Sequence, residues 1–249
     1  MPRAYFYVWG GIMAELWKQI QDNLLFLICC MGIITLLAIL AHVAERFLPA
    51  MRHTTKARRL CTVAICSAIA AVLHMLDFPL PFLAPEFYKL DFSELPVMLC
   101  GLYLGPSAAV ACEAVKILLK LLLKGTSTAF VGDFANFVVG CSLVLPAAIV
   151  YHTKKSRASA LWGLVLGTVV MTTFGSFFNA VYLLPRFSQL YGLPLDSIIA
   201  MGSKINNSIQ SLQSFVLLAV APLNLIKGTM ISVLTLALYK RVARPLFGK

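Results

Sequence analysis

Apolar residues fall along this chain in runs of about twenty, separated by short polar or proline-punctuated breaks, and most runs are long enough to cross a hydrocarbon core of about 30 Å as a helix. They lie at about 23–43, 59–76, 95–104, 107–123, 130–150, 160–183 and 213–238. Glycine and proline interrupt or end the runs, which favours helices over barrel strands. The predicted fold class is therefore all-α, a polytopic membrane helical bundle. The run at 95–104 is too short to span alone, so residues 88–94 are expected to dip toward the membrane. Ser93 ahead of Glu94-Leu95-Pro96 predicts a helix start, with a serine cap and an acid and a proline in the first turn. The only long loops expected are 77–92 and 185–211, and no internal repeat or low-complexity segment is visible.

Composition strengthens the membrane reading. The chain is 60% hydrophobic and 12% charged, against roughly 45–50% and 25% in a soluble domain. Its formal net charge of +11 would suggest nucleic acid in a soluble protein, but the placement of the charges points elsewhere. Twelve cations fall in three clusters (Arg46, Arg52, Lys56, Arg58, Arg59; Lys154, Lys155, Arg157; Lys240, Arg241, Arg244, Lys249), against five (Lys89, Lys120, Lys124, Arg186, Lys204) near the other side. The positive-inside rule makes the three clusters cytoplasmic, and anionic headgroups of a cell-membrane bilayer account for the basicity with no nucleic acid partner. The C-terminus is then cytoplasmic and the N-terminus outside. Residues 1–22, with Tyr5, Phe6, Tyr7, Trp9 and Trp17, suit an interfacial segment. The run at 23–43 is too long and too late for a signal peptide and is expected to be a retained helix.

Polar residues inside the spans carry the functional information. Glu113, Lys116, Lys120 and Lys124 fall at helical spacing on one face, and ionised groups at membrane depth are normally paired or turned inward, so Glu113 and Lys116 are expected to form an interior ion pair. Asp133 and Asn136 share a face, Asn179 precedes Pro185, and Asn224 and Lys227 lie three apart just past Pro222, whose missing N–H leaves a carbonyl unpaired. Carboxamides and an amine from different helices, pointing into an apolar bundle, are what a binding cavity needs. Interhelical hydrogen bonding is the competing use of such residues. Small residues at Ala64 and Ala68, and at Ser67 and Ala71, smooth the first core helix for close approach, by another helix of the bundle or by an external partner; Gly163 and Gly167 read as internal packing. The seven cysteines and four histidines show no zinc-ligand spacing and read as buried or span-end residues, so no metal or cofactor is expected. No phosphate loop, HExxH, GxSxG or membrane carboxylate dyad is present, which disfavours an enzyme.

The chain from about 58 to 240 resembles the substrate-binding S components of energy-coupling factor (ECF) vitamin importers, most closely their riboflavin-specific branch. The resemblance rests on Asp77-Phe78-Pro79-Leu80-Pro81, Lys89-Leu90-Asp91-Phe92-Ser93-Glu94-Leu95-Pro96, Gly105-Pro106, Glu113 with Lys116, Gly132 with Ala135-Asn136-Phe137, Leu145-Pro146, Asn179 with Pro185, and Pro222-Leu223-Asn224-Leu225-Ile226-Lys227-Gly228. It implies a six-helix core over 58–240, preceded by an extension at 1–57 with one additional membrane helix and a basic cytoplasmic linker, and followed by a basic tail at 241–249. It also implies riboflavin as the transported ligand, bound from outside near Leu90, Asp91, Phe92, Ser93, Asn179, Asn224 and Lys227. Ala64 and Ala68 would dock a transmembrane coupling subunit driven by two ATPase subunits. The chemistry is compatible: carboxamides both donate and accept and a lysine donates, matching the alternating polar edge of a flavin. Two departures stand out. Ile117 occupies a position where the family usually has asparagine, and the helix at 23–43 lies outside the six-helix pattern. Rival readings are an S component for folate or pantothenate, and an intramembrane enzyme acting on lipid through Glu113, Lys116 or Asp133.

Overall fold

A computed structural model describes residues 17–18, 20–49 and 55–247 of the chain. The predicted interfacial segment at 1–22 falls mostly outside the described residues, as does the middle of the basic linker. The helices are α1 (Leu24–Arg46), α2 (Lys56–Met75), α3 (Glu94–Leu104), α4 (Pro106–Lys124), α5 (Val131–Lys154), α6 (Arg157–Phe178), α7 (Leu184–Tyr191), α8 (Leu195–Ser203), α9 (Leu212–Phe215) and α10 (Ala221–Phe247). Two-residue strands β1 (Phe78–Pro79) and β2 (Lys89–Leu90) pair antiparallel between α2 and α3. Among the described residues, five helical stretches are long and apolar enough to cross a membrane. The 19 residues of α4 reach about 28 Å at ~1.5 Å per residue, but this helix carries Glu113, Lys116, Lys120 and Lys124. At 11 residues, α3 is a half-span, and Gly105, at φ 116°, turns the chain into α4 through a backbone region open to glycine.

Small residues let the rods approach closely. A Cβ added at Gly163 would stand 2.7 Å from the Ala147 carbonyl oxygen of α5, and one at Gly167 would collide harder with that of Leu143. Gly228 of α10 meets Thr168 of α6 in the same way, and Thr168 and Ser232 exchange a hydrogen bond at 3.0 Å. The glycines expected to serve internal packing do so.

The additional helix α1 is seated on α4 and α5. Its Ala41 packs with Val110, Ile117, Phe137 and Cys141. One turn further along α1, Glu45 Oε1 accepts hydrogen bonds from the Ser107 amide (2.8 Å) and hydroxyl (2.7 Å), with Arg59 3.6 Å away. A carboxylate from α1 thus caps the otherwise unpaired first turn of α4. Ile117 faces this apolar seam, which explains why an apolar residue stands there.

Three local expectations need correction. Ser93 is not a side-chain cap: its backbone is already helical (φ −64°, ψ −30°), and its hydroxyl accepts from Lys116 Nζ at 3.1 Å. The capping carboxylate is Asp91, which accepts from the Ser93 amide at 2.8 Å. Residues 185–211 are not a loop but hold α7 and α8. The run at 160–183 continues past 183 through a π turn at Asn179–Leu183. A second π turn, Val216–Val220, precedes α10. Each lies just ahead of a proline, Pro185 or Pro222, whose ring removes a backbone donor, and a widened turn absorbs the mismatch.

Gly167→Ala is expected to lower stability by about 1–3 kcal/mol through overpacking, whereas Gly32→Ala, where an added Cβ meets nothing within 4 Å, should leave it nearly unchanged. Thermal unfolding of both variants in detergent checks this. Equal stability of the two would contradict the close α5–α6 approach.

Candidate ligand-binding site

The half-span α3 brings a loop and a helix start into the bundle, and buried charge gathers around it. Lys116 of α4 is wholly buried, Glu113 and Glu94 nearly so. The Lys116 ammonium contacts Ser93 Oγ at 3.1 Å, Glu94 Oε1 at 3.3 Å, Asn136 Oδ1 at 2.9 Å and, closest, Glu113 Oε1. Three protons are shared among four acceptors. The predicted Glu113–Lys116 pair is formed, and its environment explains Gly140: a Cβ there would overlap the Glu113 carboxylate. Glu94 extends the network to α10, where Lys227 Nζ lies 2.9 Å from Glu94 Oε2 and 3.1 Å from Asp91 Oδ2. His74, at the end of α2, completes it with Nδ1 3.3 Å from the same Asp91 oxygen. Three carboxylates thus face two ammonium groups and an imidazole. Removing one partner of such a buried set costs about 3–5 kcal/mol, because the remaining charge is left unpaired.

Above this network lies a cavity of about 350 Å³, within the size range of small-molecule sites. Its apolar walls include Phe87, Tyr88, Ala135, Val139, Met171, Leu183, Phe187 and Leu223, and its polar groups include His74, Asp91, Glu94, Asn136, Asn179, Asn224 and Lys227. Lys120, Ser127, Thr128 and Asp133 add polar wall nearer the α4–α5 connection. That connection is bent by Ala129 and Phe130, both at positive φ. It is held by Thr126 Oγ1, which accepts from the Phe130 amide at 3.0 Å, and by Thr128 Oγ1, which caps α5 by accepting from Gly132 N–H at 3.0 Å. A second cavity, about 310 Å³, lies between α1, α4 and α5; apart from Asp133 its lining is apolar, so it lacks the placed donors and acceptors that orient a polar ligand.

Of the residues singled out from the sequence, Asp91, Asn179, Asn224 and Lys227 line the larger cavity, whereas Leu90, Phe92 and Ser93 do not. Leu90 is buried, Phe92 packs against Phe78 with ring centroids 6.1 Å apart, and Ser93 serves Lys116. The carboxamides are not equivalent. Asn179 is already engaged, accepting from Tyr88 O–H at 2.7 Å and donating to the Gly175 carbonyl at 2.7 Å; it ties the loop before β2 to the π turn. The Asn224 Nδ2 group, by contrast, is buried without a hydrogen-bond partner. It has room only because residue 175 is glycine, where a Cβ would stand 2.7 Å from that nitrogen.

Several contributors were not singled out. Glu94 reads as a first-turn acid and His74 as a span-end residue, and Gly175 carries no signal of its own. Their roles depend on contacts across α2, α3, α6 and α10, which spacing within one helix does not reveal. On α2, Ala64 and Ala68 are exposed on the flank while Ser67 and Ala71 are buried. The second stripe packs internally, Ser67 Oγ reaching the Cys112 carbonyl oxygen of α4 at 3.2 Å.

The architecture has known relatives. Residues 58–239 match the family model for the ECF transporter substrate-specific component. The riboflavin transporter RibU of Staphylococcus aureus (strain TCH60) is 39% identical over 186 residues, covering 75% of this chain and 90% of that protein. The riboflavin transporter FmnP of Bacillus subtilis (strain 168) is 35% identical over 179 residues, covering 72% and 88%. A solved structure of the S component of a bacterial ECF transporter superimposes with a TM-score of 0.61 at 37% identity, covering 78% of this chain and 99% of that one. The cavity, the buried ion network beneath it and the helical core are thus those of a multi-pass membrane protein that belongs to the substrate-specific components of ECF transporters.

Proposed function

We propose that this chain binds riboflavin in the cavity above the Lys116 network and delivers it inward as part of an ECF module. The observation that carries the reading is the meeting of Asn136, Asn224 and Lys227, from α5 and α10, in one cavity with the apolar walls of Met171, Leu183, Phe187 and Leu223. Lys116 holds the Asn136 carbonyl oxygen, which leaves its NH₂ to donate. Asn224 offers an unpaired NH₂. Lys227 donates to Asp91 Oδ2 at 3.1 Å and pairs with Glu94 Oε2 at 2.9 Å, and its ammonium has a further proton to donate. Donors of this kind suit the carbonyl oxygens and ring nitrogens along the polar edge of an isoalloxazine, while Met171, Leu223 and Phe187 suit its flat apolar faces. The names of the relatives support the same cargo. Buried polar groups left unpaired are costly, so a ligand without those heteroatoms is rejected.

The basic clusters put the C-terminus in the cytoplasm and the N-terminus, ahead of α1, outside. The exposed flank of α2 with Ala64 and Ala68 is the docking stripe for a transmembrane coupling subunit, which two ATPase subunits drive. The chain itself performs no chemistry on its cargo.

Riboflavin fluorescence should be quenched on binding to the purified protein. Lys227→Ala is expected to weaken binding by about 2–5 kcal/mol, the cost of truncating one partner of a buried charge pair. Asn224→Ala should lose about 1–3 kcal/mol. Titration of both variants checks this, and unchanged affinity in both would remove α10 from the site.

Ala64→Leu with Ala68→Leu should leave riboflavin affinity intact and abolish co-purification with the coupling and ATPase subunits. A stable assembled complex of the double variant would show that another face docks.

A further inference from the structure

Helices α4 and α5 are joined by two polar rungs. In the first, Lys116 donates to Asn136; one turn further along both helices, Lys120 Nζ donates to Asp133 Oδ1 at 2.6 Å. The two rungs differ in how fully the ammonium is engaged. Lys116 has four acceptors, whereas Asp133 is the acceptor of Lys120 among the described residues. Asp133 is only 4% exposed, and its second oxygen, Oδ2, has no hydrogen-bond partner. Both side chains belong to the cavity wall, beside Ser127 and Thr128. A buried carboxylate oxygen without a donor is costly, and an ammonium with protons to spare beside it leaves donor and acceptor capacity side by side.

Building on the riboflavin reading, we propose that Lys120 and Asp133 form the subsite for the hydroxylated chain of the ligand. A hydroxyl is donor and acceptor at once, so one hydroxyl can accept from Lys120 and another donate to Asp133 Oδ2. The rung is a neutral pair, which suits an uncharged polyol. The first rung and Lys227 take the ring and the second takes the chain, one helical turn or about 5.4 Å apart along α4. Asp133 thereby discriminates flavins by what is attached to the ring, not by the ring itself.

The test compares riboflavin with lumiflavin, which keeps the ring and replaces the polyol by a methyl group, in fluorescence titrations of the full chain and its Asp133→Asn variant. The wild-type protein should prefer riboflavin by about tenfold or more, the scale of a hydrogen bond to a charged group. In the variant riboflavin should weaken toward lumiflavin, whose affinity stays the same. If Asp133→Asn does not fold, Lys120→Gln combined with Asp133→Asn leaves no unpaired charge and should show the same loss of preference. A wild-type protein that binds the two flavins equally, or variants that lose both in proportion, would overturn the subsite while leaving riboflavin as cargo. A protein that binds neither flavin would overturn the riboflavin reading and the subsite with it.

Discussion

A charge buried at membrane depth must be neutralised by its neighbours, and the buried Lys116 imposes that constraint on everything around it. It draws in Glu94 and Ser93 from the start of α3, Glu113 from its own helix and Asn136 from α5. Gly140 has no side chain because Glu113 needs the space. The shortness of α3 follows from the same demand, since a half-span delivers its N-terminal turn, with Glu94, to the interior. Lys227 then closes the set through Glu94 and Asp91. The network is a floor fixed by many bonds, and the cavity above it inherits that rigidity. A floor of this kind holds Asn136 and Lys227 in orientation before a ligand arrives, which reduces the ordering cost of binding.

The additional helix illustrates a second, weaker constraint. Between membrane helices no hydrophobic force acts, so packing and a few polar contacts must fix the arrangement. On α1 these are the seam around Ala41 and Ile117 and the Glu45 carboxylate on the first turn of α4. Ile117 and the additional helix are one feature: the helix covers the face that the isoleucine makes apolar.

Much of this was legible in the sequence because hydropathy sets span length directly. The helices at Leu24–Arg46, Lys56–Met75, Pro106–Lys124 and Val131–Lys154 begin and end within a few residues of the apolar runs, and the Glu113–Lys116 pair follows from three-residue spacing on one helix. Legibility failed where the answer depends on another element. Ser93 has the composition of a cap, yet the ammonium of a distant helix claims its hydroxyl. The stretch after Pro185 looked like a loop, because π turns that let helices run on near prolines leave no periodic signature. Asn179 and Asn224 are indistinguishable as letters; only the fold reveals that Tyr88 and Gly175 have already satisfied one and not the other.

The central claim is that a preformed ion network presents Lys227 and the Asn224 carboxamide to the polar edge of a flavin. A structure of the riboflavin-bound protein measures it most directly. The account predicts Lys227 Nζ and Asn224 Nδ2 within about 3.2 Å of acceptor atoms on the ring, with the Lys116 contacts unchanged. Riboflavin seated in the apolar cavity beside α1, or a Lys227 still held only by Asp91 and Glu94, would contradict it.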